Sequence, residues 1–185
     1  ETYVDYSDHS DKWTFPDLYY TWQQENIAFF ALDSTQIYWG IKDEQLAWLQ
    51  GGLAASTATW KIAFAHHPYI SNGPHGNAGS YEGLDFIPIV NGESIKEFIE
   101  DGVCGQVDVY LCGHDHDMQW LESTCGTEFL VSGAGSKTTD LEGSNPTWFE
   151  EAVPGFLWVE IQGNTFTGVF YDENAQELYR RSFTK

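Results

Sequence analysis

Five of the six histidines lie in two short segments, and imidazole is a side chain that both binds transition metals and moves protons near neutral pH. His66, His67 and His75 fall in the first segment, and His114 and His116 in the second. In an extended chain, residues two apart point to the same side, so the second pair can share one site. Taken alone, a His-x-His pair is more often an exposed polar turn, so the metal-site hypothesis depends on its surroundings.

Those surroundings favour a site. Both segments follow apolar, strand-like runs at residues 60–65 and 107–112. Gly113 allows close backbone approach or a sharp turn directly before the second pair. Asp115 and Asp117 are carboxylates that could accept an imidazole N–H and so orient a metal ligand. We therefore expect the histidines to converge at the ends of buried strands.

The elements that position the histidines follow from hydrophobic periodicity. Helices are predicted over 43–53 and 93–99, and the long polar segments 66–83 and 133–154 are predicted to be loops. Strands are predicted at residues 18–22, 26–32, 60–65, 107–112, 117–122, 128–132, 156–161, 165–171 and 177–183. Helices and strands alternate early and strands cluster late, which is typical of a layered α/β domain with a mixed sheet and C-terminal antiparallel strands. The length of 185 residues predicts a single domain over 1–185.

Charge and apolar content exclude several classes of partner. The chain has 28 acidic and 8 basic side chains, for a formal net charge of −20, and no basic stripe. Nucleic-acid binding and attraction to an anionic membrane surface are therefore not expected. The apolar run 27–32 is far shorter than the roughly 20 residues that a membrane-spanning helix needs. An anionic substrate would require a local positive charge, which a metal ion can supply.

The three cysteines bear on the compartment. Cys104 and Cys125 each precede a glycine in loop-like sequence, whereas Cys112 lies in an apolar strand-like run. In an oxidising compartment we expect Cys104 to pair with Cys125, and Cys112 to stay buried and free. That pairing predicts an extracellular or periplasmic protein. The alternative is three reduced, partly buried thiols.

Together the motifs resemble those of a known superfamily. Ala65-His66-His67-Pro68 and Gly113-His114-Asp115-His116 resemble the last two motifs of the calcineurin-like metallophosphoesterases. The sequence is most similar to the purple (tartrate-resistant type) acid phosphatases, because three further matches occur at the expected places. They are His75-Gly76, the run Tyr110–Cys112 before the second motif, and Val131–Gly135 after it. The resemblance covers most of the chain and fades after about residue 136.

The resemblance implies a metallophosphatase-type layered α/β sandwich and a dinuclear metal centre that hydrolyses phosphate esters of small molecules. By position, His66 and His114 would bind one metal and His116 the other, with iron, zinc or manganese as the ions. His75 would lie near the leaving-group oxygen as a hydrogen-bond donor or general acid. In such a centre two cations bind the phosphoryl oxygens and lower the pKa of an attacking water.

The sequence also departs from the family. The earlier family motifs, an Asp after a first strand, Gly-Asp-x-x-Tyr and Gly-Asn-His-Asp, do not occur in it. We therefore expect this chain to be the C-terminal portion of a metallophosphoesterase domain, with the N-terminal half of the parent fold missing. A longer parent or a companion polypeptide would supply the other ligands, and the isolated chain would be inactive and bind one divalent ion at best.

Two other interpretations stay open at this point. The first is a non-catalytic fragment or binding module that retains the fold with half of a metal site. The second is a protein that binds a single metal ion through its histidines and has no phosphatase activity.

Overall fold

Ten strands in the described residues form two sheets. The protein is described by a computed structural model over residues 2–84, 86–87 and 90–185. The strands are β1 (Tyr20–Gln24), β2 (Ile27–Ala31), β3 (Trp60–Phe64), β4 (Val109–Cys112), β5 (Met118–Leu121), β6 (Glu128–Ser132), β7 (Thr147–Glu151), β8 (Gly155–Gln162), β9 (Thr165–Asp172) and β10 (Glu177–Thr184). The helices are α1 (Thr2–Asp5), α2 (Ser34–Tyr38), α3 (Asp43–Ala55) and α4 (Glu93–Gly102), with 3₁₀ turns at Tyr6–Asp8 and Tyr81–Gly83. The larger sheet has the order β1-β2-β3-β4-β6-β5-β7, and the smaller has the order β10-β9-β8.

The centre of the larger sheet is parallel. Strands β2, β3, β4 and β6 pair in parallel, while β1, β5 and β7 pair antiparallel towards the edges. The carboxyl ends of β3 and β4 therefore lie side by side at one edge of the sheet. The two histidine segments start at these ends, so the topology alone brings them together.

Side chains on the two faces of the larger sheet belong to different cores. In β4, Val109 packs towards the three-stranded sheet, in a cluster with Trp120 and Phe166. The next residue, Tyr110, packs with α3 and α4 in a cluster that includes Phe98. Strand periodicity thus creates three layers, and the predicted layered α/β sandwich with mixed sheet and C-terminal antiparallel strands is confirmed.

The two predicted helices are present and bury their apolar faces, but both end later in the chain than predicted. Helix α3 buries Leu49 and Leu53 and continues to Ala55, because the glycine pair at 51–52 lies within the helix and does not end it. Helix α4 extends three residues beyond the predicted Ile99. The short helix α2 was not predicted, since five residues carry too little periodicity.

One strand lies inside a predicted loop. Strand β7 falls within 133–154 and pairs antiparallel with β5 at the sheet edge. Its sequence does not alternate clearly, because an edge strand exposes most of its side chains and Trp148 remains half exposed.

The predicted cysteine pairing is confirmed. A disulfide joins Cys104 to Cys125, while Cys112 is buried and free. In the described ranges of the chain, the helices are too short or too polar to cross a membrane.

Candidate active site

The two histidine segments meet directly. The main-chain N–H of Gly113 donates to the carbonyl of His66 at 3.1 Å, which joins the loops that follow β3 and β4. The ring nitrogens His66 Nε2 and His114 Nδ1 then lie 2.9 Å apart. The convergence that was expected from two strand ends is therefore present for this pair.

A buried serine fixes the first histidine segment. Ser34, at the start of α2, accepts hydrogen bonds from the main-chain N–H groups of His66 and His67, each at 3.1 Å. Its hydroxyl also lies 2.9 Å from His67 Nδ1, and the His67 ring stacks on Tyr38 at 5.2 Å. Sequence reasoning missed this residue, although the run Asp33-Ser34 directly after an apolar strand is a helix-start signal that could have revealed it.

His75 approaches the same cluster from the far end of its loop. Its ring centroid lies 4.1 Å from that of His114, and its Nδ1 contacts the carboxylate of Glu82. Its main-chain N–H donates to Asp115 Oδ1 at 3.0 Å. Asp115 therefore positions the backbone of the His75 loop, which differs from the expected role as an acceptor for an imidazole N–H.

Asp117 was expected to accept an imidazole N–H, but it contacts other groups. It is fully buried, and its Oδ1 accepts from Gln119 Nε2 at 2.7 Å. Its Oδ2 has no hydrogen-bond partner among the described residues and faces Gly73, where an added Cβ would lie 2.6 Å away. Burial raises the pKa of this carboxyl to about 6.

Three of the imidazoles, those of His66, His67 and His114, favour the neutral form. Burial, reinforced by the neighbouring histidines, lowers the pKa of His114 to about 3 and that of His67 to about 4. Burial also lowers the pKa of His66, and the charge of His116 contributes to the lower pKa values of both His66 and His114. A neutral imidazole keeps a free lone pair, which is the form that binds metals.

The conformation at the second motif is unusual. His114 has a φ of +70°, a left-handed conformation that few non-glycine residues adopt. Gly133, directly after β6, packs against this turn so closely that a Cβ would lie 1.9 Å from the carbonyl oxygen of Asp115. The turn thus depends on His114 and Gly133, and Gly113 keeps a negative φ.

A cleft of about 210 Å³ opens beside the histidines. It is lined by Tyr38, His67, His75, Tyr81, Glu82, Val90 and His114. The cleft combines two tyrosine rings with three imidazoles and one carboxylate. Its volume suits a small organic group rather than a macromolecule.

The described side chains provide only part of a metal-binding site. Among the residues that the structure describes, no group of three or more His, Cys, Asp or Glu side chains is arranged to hold a metal ion. The pair His66–His114 offers two nitrogen donors, whereas a structural or catalytic transition-metal site takes at least three protein ligands. These residues therefore do not by themselves fit a dinuclear centre.

Comparisons with known proteins support the resemblance. No family model matches the sequence. Tartrate-resistant acid phosphatase type 5 of Mus musculus is 24% identical over 214 residues, covering 98% of this chain and 62% of the relative. Purple acid phosphatase 4 of Arabidopsis thaliana is 32% identical over 146 residues, covering 74% of this chain and 38% of the relative.

Solved structures share the fold. GAP50, described as the anchor in the inner membrane complex of Plasmodium, aligns with a TM-score of 0.72 at 19% identity, covering 94% of this chain and 56% of that one. A purple acid phosphatase from yellow lupin seeds aligns with a TM-score of 0.67 at 16% identity. The alignment covers 90% of this chain and 32% of the lupin chain.

The chain is thus homologous to the purple and tartrate-resistant acid phosphatases over most of its length. It has their metallophosphatase-type fold. It spans about 60% of the length of the first curated relatives that it matches.

Proposed function

We propose that this homologue of the purple acid phosphatases takes part in metal-dependent hydrolysis of phosphate esters. The observation that carries the proposal is the 2.9 Å approach of His66 Nε2 to His114 Nδ1. Two neutral imidazoles from two loops at neighbouring parallel strand ends form a nitrogen-donor pair. On a chain with a net charge of −20, a bound cation would also attract an anionic substrate.

We assign the ligands by this geometry and by homology. His66 and His114 bind one metal, and His116 binds the second metal of a dinuclear centre. Because the described residues offer too few donors, the remaining ligands come from a further segment of a longer protein or from a companion polypeptide. The ions are iron, zinc or manganese, all of which accept imidazole nitrogen.

His75 has a different role in the proposal. It lies against His114 without sharing the His66–His114 nitrogen contact, and it lines the cleft. We assign it as the hydrogen-bond donor or general acid at the leaving-group oxygen of a small phosphate ester. Poor leaving groups, which need a proton, would depend on it most.

Metal analysis together with hydrolysis of p-nitrophenyl phosphate tests the proposal on the whole protein, with any companion polypeptide co-purified. His66→Ala and His114→Ala should each lower metal content and abolish most turnover. His75→Ala should keep the metal and lower kcat, and the exposed His9→Ala should change neither. Metal loss in His75→Ala would overturn the assignment of His75.

The compartment is a further part of the proposal. A Cys104–Cys125 disulfide persists in an oxidising environment, which supports an extracellular or periplasmic location. Alkylation of free thiols in cells before lysis tests it. Modification of Cys104 and Cys125 in that experiment would contradict an oxidising compartment.

A second candidate function is a non-catalytic binding module that retains the fold with half a site. The incomplete ligand group among the described residues favours it, and the similar GAP50 is described as an anchor. A denaturing intact-mass spectrum of the purified protein separates the two proposals. A single 20.9 kDa species, without metal or hydrolysis, favours the module, and a larger or second polypeptide favours the phosphatase.

A further inference from the structure

Glu82 is attached to His75 at two points. Its carboxylate contacts His75 Nδ1, and its main-chain N–H donates to the carbonyl of His75 at 3.1 Å. The two residues are seven positions apart, so the segment between them closes into a small loop at the cleft. Both side chains line that cleft.

The backbone at Glu82 is in an unfavourable conformation. Its φ is +56°, within the 3₁₀ turn Tyr81–Gly83. A non-glycine residue at such a φ persists where the surrounding structure holds it, and such residues cluster at functional sites. Here the holding contact is visible, because the buried Tyr81 donates its hydroxyl hydrogen to the carbonyl of Pro68. The turn is thereby attached to the segment that carries His66 and His67.

The chemistry of the contact sets the state of the imidazole. An ionised carboxylate has only acceptor sites, so the nitrogen facing it must carry the hydrogen. That nitrogen is Nδ1 of His75. The ring has one other nitrogen, Nε2, which is an acceptor in the neutral Nδ1–H form and a donor only in the imidazolium. A proton given by His75 to a leaving group must therefore come from Nε2–H of the imidazolium. A 180° ring flip would exchange the two nitrogens and lose the carboxylate contact.

We propose that Glu82 is the positioning residue for His75: its carboxylate holds Nδ1–H, so that the doubly protonated ring presents Nε2–H to the leaving-group oxygen of the phosphate ester and is left as the neutral Nδ1–H tautomer after donating that proton. This inference rests on the role proposed above for His75. The main-chain bond to Asp115 and the ring contact with His114 fix where the imidazole lies. Glu82 adds the choice of which nitrogen faces the substrate.

A stabilising ion pair is the simpler explanation for the same contact, and exposure argues against it. The side chains of His75 and Glu82 are 33% and 52% exposed. Exposed pairs contribute little to stability, typically below about 1 kcal/mol. A contact that fixes a tautomer needs no such contribution, because its effect is on proton location.

Proton location can be measured on this chain without metal or substrate. Long-range ¹H–¹⁵N correlation spectra of histidine-labelled protein, at about pH 8, report which ring nitrogen carries the hydrogen. We expect Nδ1–H at His75 in the unaltered chain and mainly Nε2–H in Glu82→Ala. Glu82→Gln keeps an acceptor oxygen and should retain part of the Nδ1–H form.

The matched control is Glu97→Gln. Glu97 is 49% exposed and pairs with Lys42 at 2.5 Å, away from the cleft. Its replacement by glutamine removes the same charge as a Glu82 variant and weakens a comparable ion pair. The His75 spectrum of this control should match that of the unaltered chain. An unchanged His75 tautomer in Glu82→Ala would overturn the proposal, whatever the protein hydrolyses.

Kinetics on the whole protein test the catalytic consequence. Glu82→Ala should lower kcat for an alkyl phosphate by about 10- to 100-fold, part of a typical general-acid effect, with KM changed less than about twofold. The loss with p-nitrophenyl phosphate should be small, because its leaving group needs little protonation. Equal losses for both substrates would indicate a merely structural role and overturn the inference. No hydrolysis by the unaltered protein would instead overturn the proposed function, and the tautomer measurement distinguishes the two failures.

Discussion

Asn72 and Asn145 connect the two long loops through reciprocal hydrogen bonds. The main-chain N–H of Asn145 donates to Asn72 Oδ1 at 2.7 Å, and Asn72 Nδ2 donates to the carbonyl of Asn145 at 3.0 Å. Asn145 Nδ2 also reaches the carbonyl of Ser71 and Oδ1 of Asn77. The loop that carries His75 is therefore attached to the loop after β6.

Removing this connection should destabilise the fold and loosen both loops. Asn72 is 1% exposed, and Asn72→Ala leaves the partly buried N–H of Asn145 without its acceptor. We expect a loss of about 2 kcal/mol in the free energy of unfolding, measured in urea, since an unsatisfied buried group costs about 1–3 kcal/mol. Asn174→Ala, in an exposed turn, is the control and should change stability by less than about 0.5 kcal/mol.

Limited proteolysis gives the second readout for this variant. Cleavage between residues 133 and 146 should become faster in Asn72→Ala and stay unchanged in Asn174→Ala. Equal protease resistance in both variants would contradict the role of Asn72 as the connection between the loops.

Gly133 should tolerate no side chain. A Cβ there would lie 1.9 Å from the carbonyl oxygen of Asp115, so Gly133→Ala must move the turn that carries His114 and His116. We expect a loss of about 1–3 kcal/mol in thermal or urea unfolding, together with shifted ring resonances of both histidines. Gly135→Ala is the control, because nothing lies within 4 Å of its added Cβ. If the two variants were equally stable, the close packing of β6 on this turn would be wrong.

The strand and helix pattern was predictable because it depends on local periodicity. Strands β3 and β4 are short, mostly apolar runs that end two residues before His66 and His114, and β8 alternates regularly between half-buried and exposed side chains. The candidate ligands His66 and His114 were also predictable in type and position. Their contact followed once the parallel pairing of β3 and β4 placed both strand ends at one edge.

The supporting residues could not be predicted in the same way. Ser34 and Glu82 act on His67 and His75, which lie 33 and 7 positions away, through hydrogen bonds that leave no periodic pattern in the sequence. Strand β7 was missed because an edge strand shows little burial pattern. The sequence suggested close approach or a sharp turn at Gly113, but the left-handed residue is His114, a type for which that conformation is uncommon.

Arg181 should stabilise the core through a buried carboxylate. Its guanidinium binds both oxygens of Glu128, at 2.8 and 3.3 Å, and lies between the rings of Trp120 and Trp148 at 4.8 and 4.7 Å. Glu128 is 8% exposed, so Arg181→Ala leaves a buried charge without its partner. We expect a loss of about 3–5 kcal/mol in the free energy of unfolding.

The neighbouring arginine provides the control for this prediction. Arg180 forms an exposed pair with Glu177, at 2.6 Å, so Arg180→Ala should leave urea unfolding unchanged. A combined Arg181→Ala and Glu128→Gln variant should recover part of the loss, because the buried charge is then absent. Similar unfolding midpoints for the two single arginine variants would contradict the role of the Glu128–Arg181 pair.

The Cys104–Cys125 disulfide should contribute through the unfolded chain. It closes a loop of 21 residues between α4 and β6, and loop-closure entropy predicts about 3 kcal/mol of stabilisation for that length. A variant with serine at both positions should therefore unfold at a lower urea concentration, with a free energy of unfolding that is smaller by about 3 kcal/mol. The unaltered chain treated with a reductant should shift to the same midpoint, whereas the serine variant should not respond to reductant, because the free Cys112 is buried and makes no disulfide. A reductant shift in the serine variant would mean that Cys112 contributes a bond in solution, and an unshifted unaltered chain would mean that the Cys104–Cys125 bond is absent.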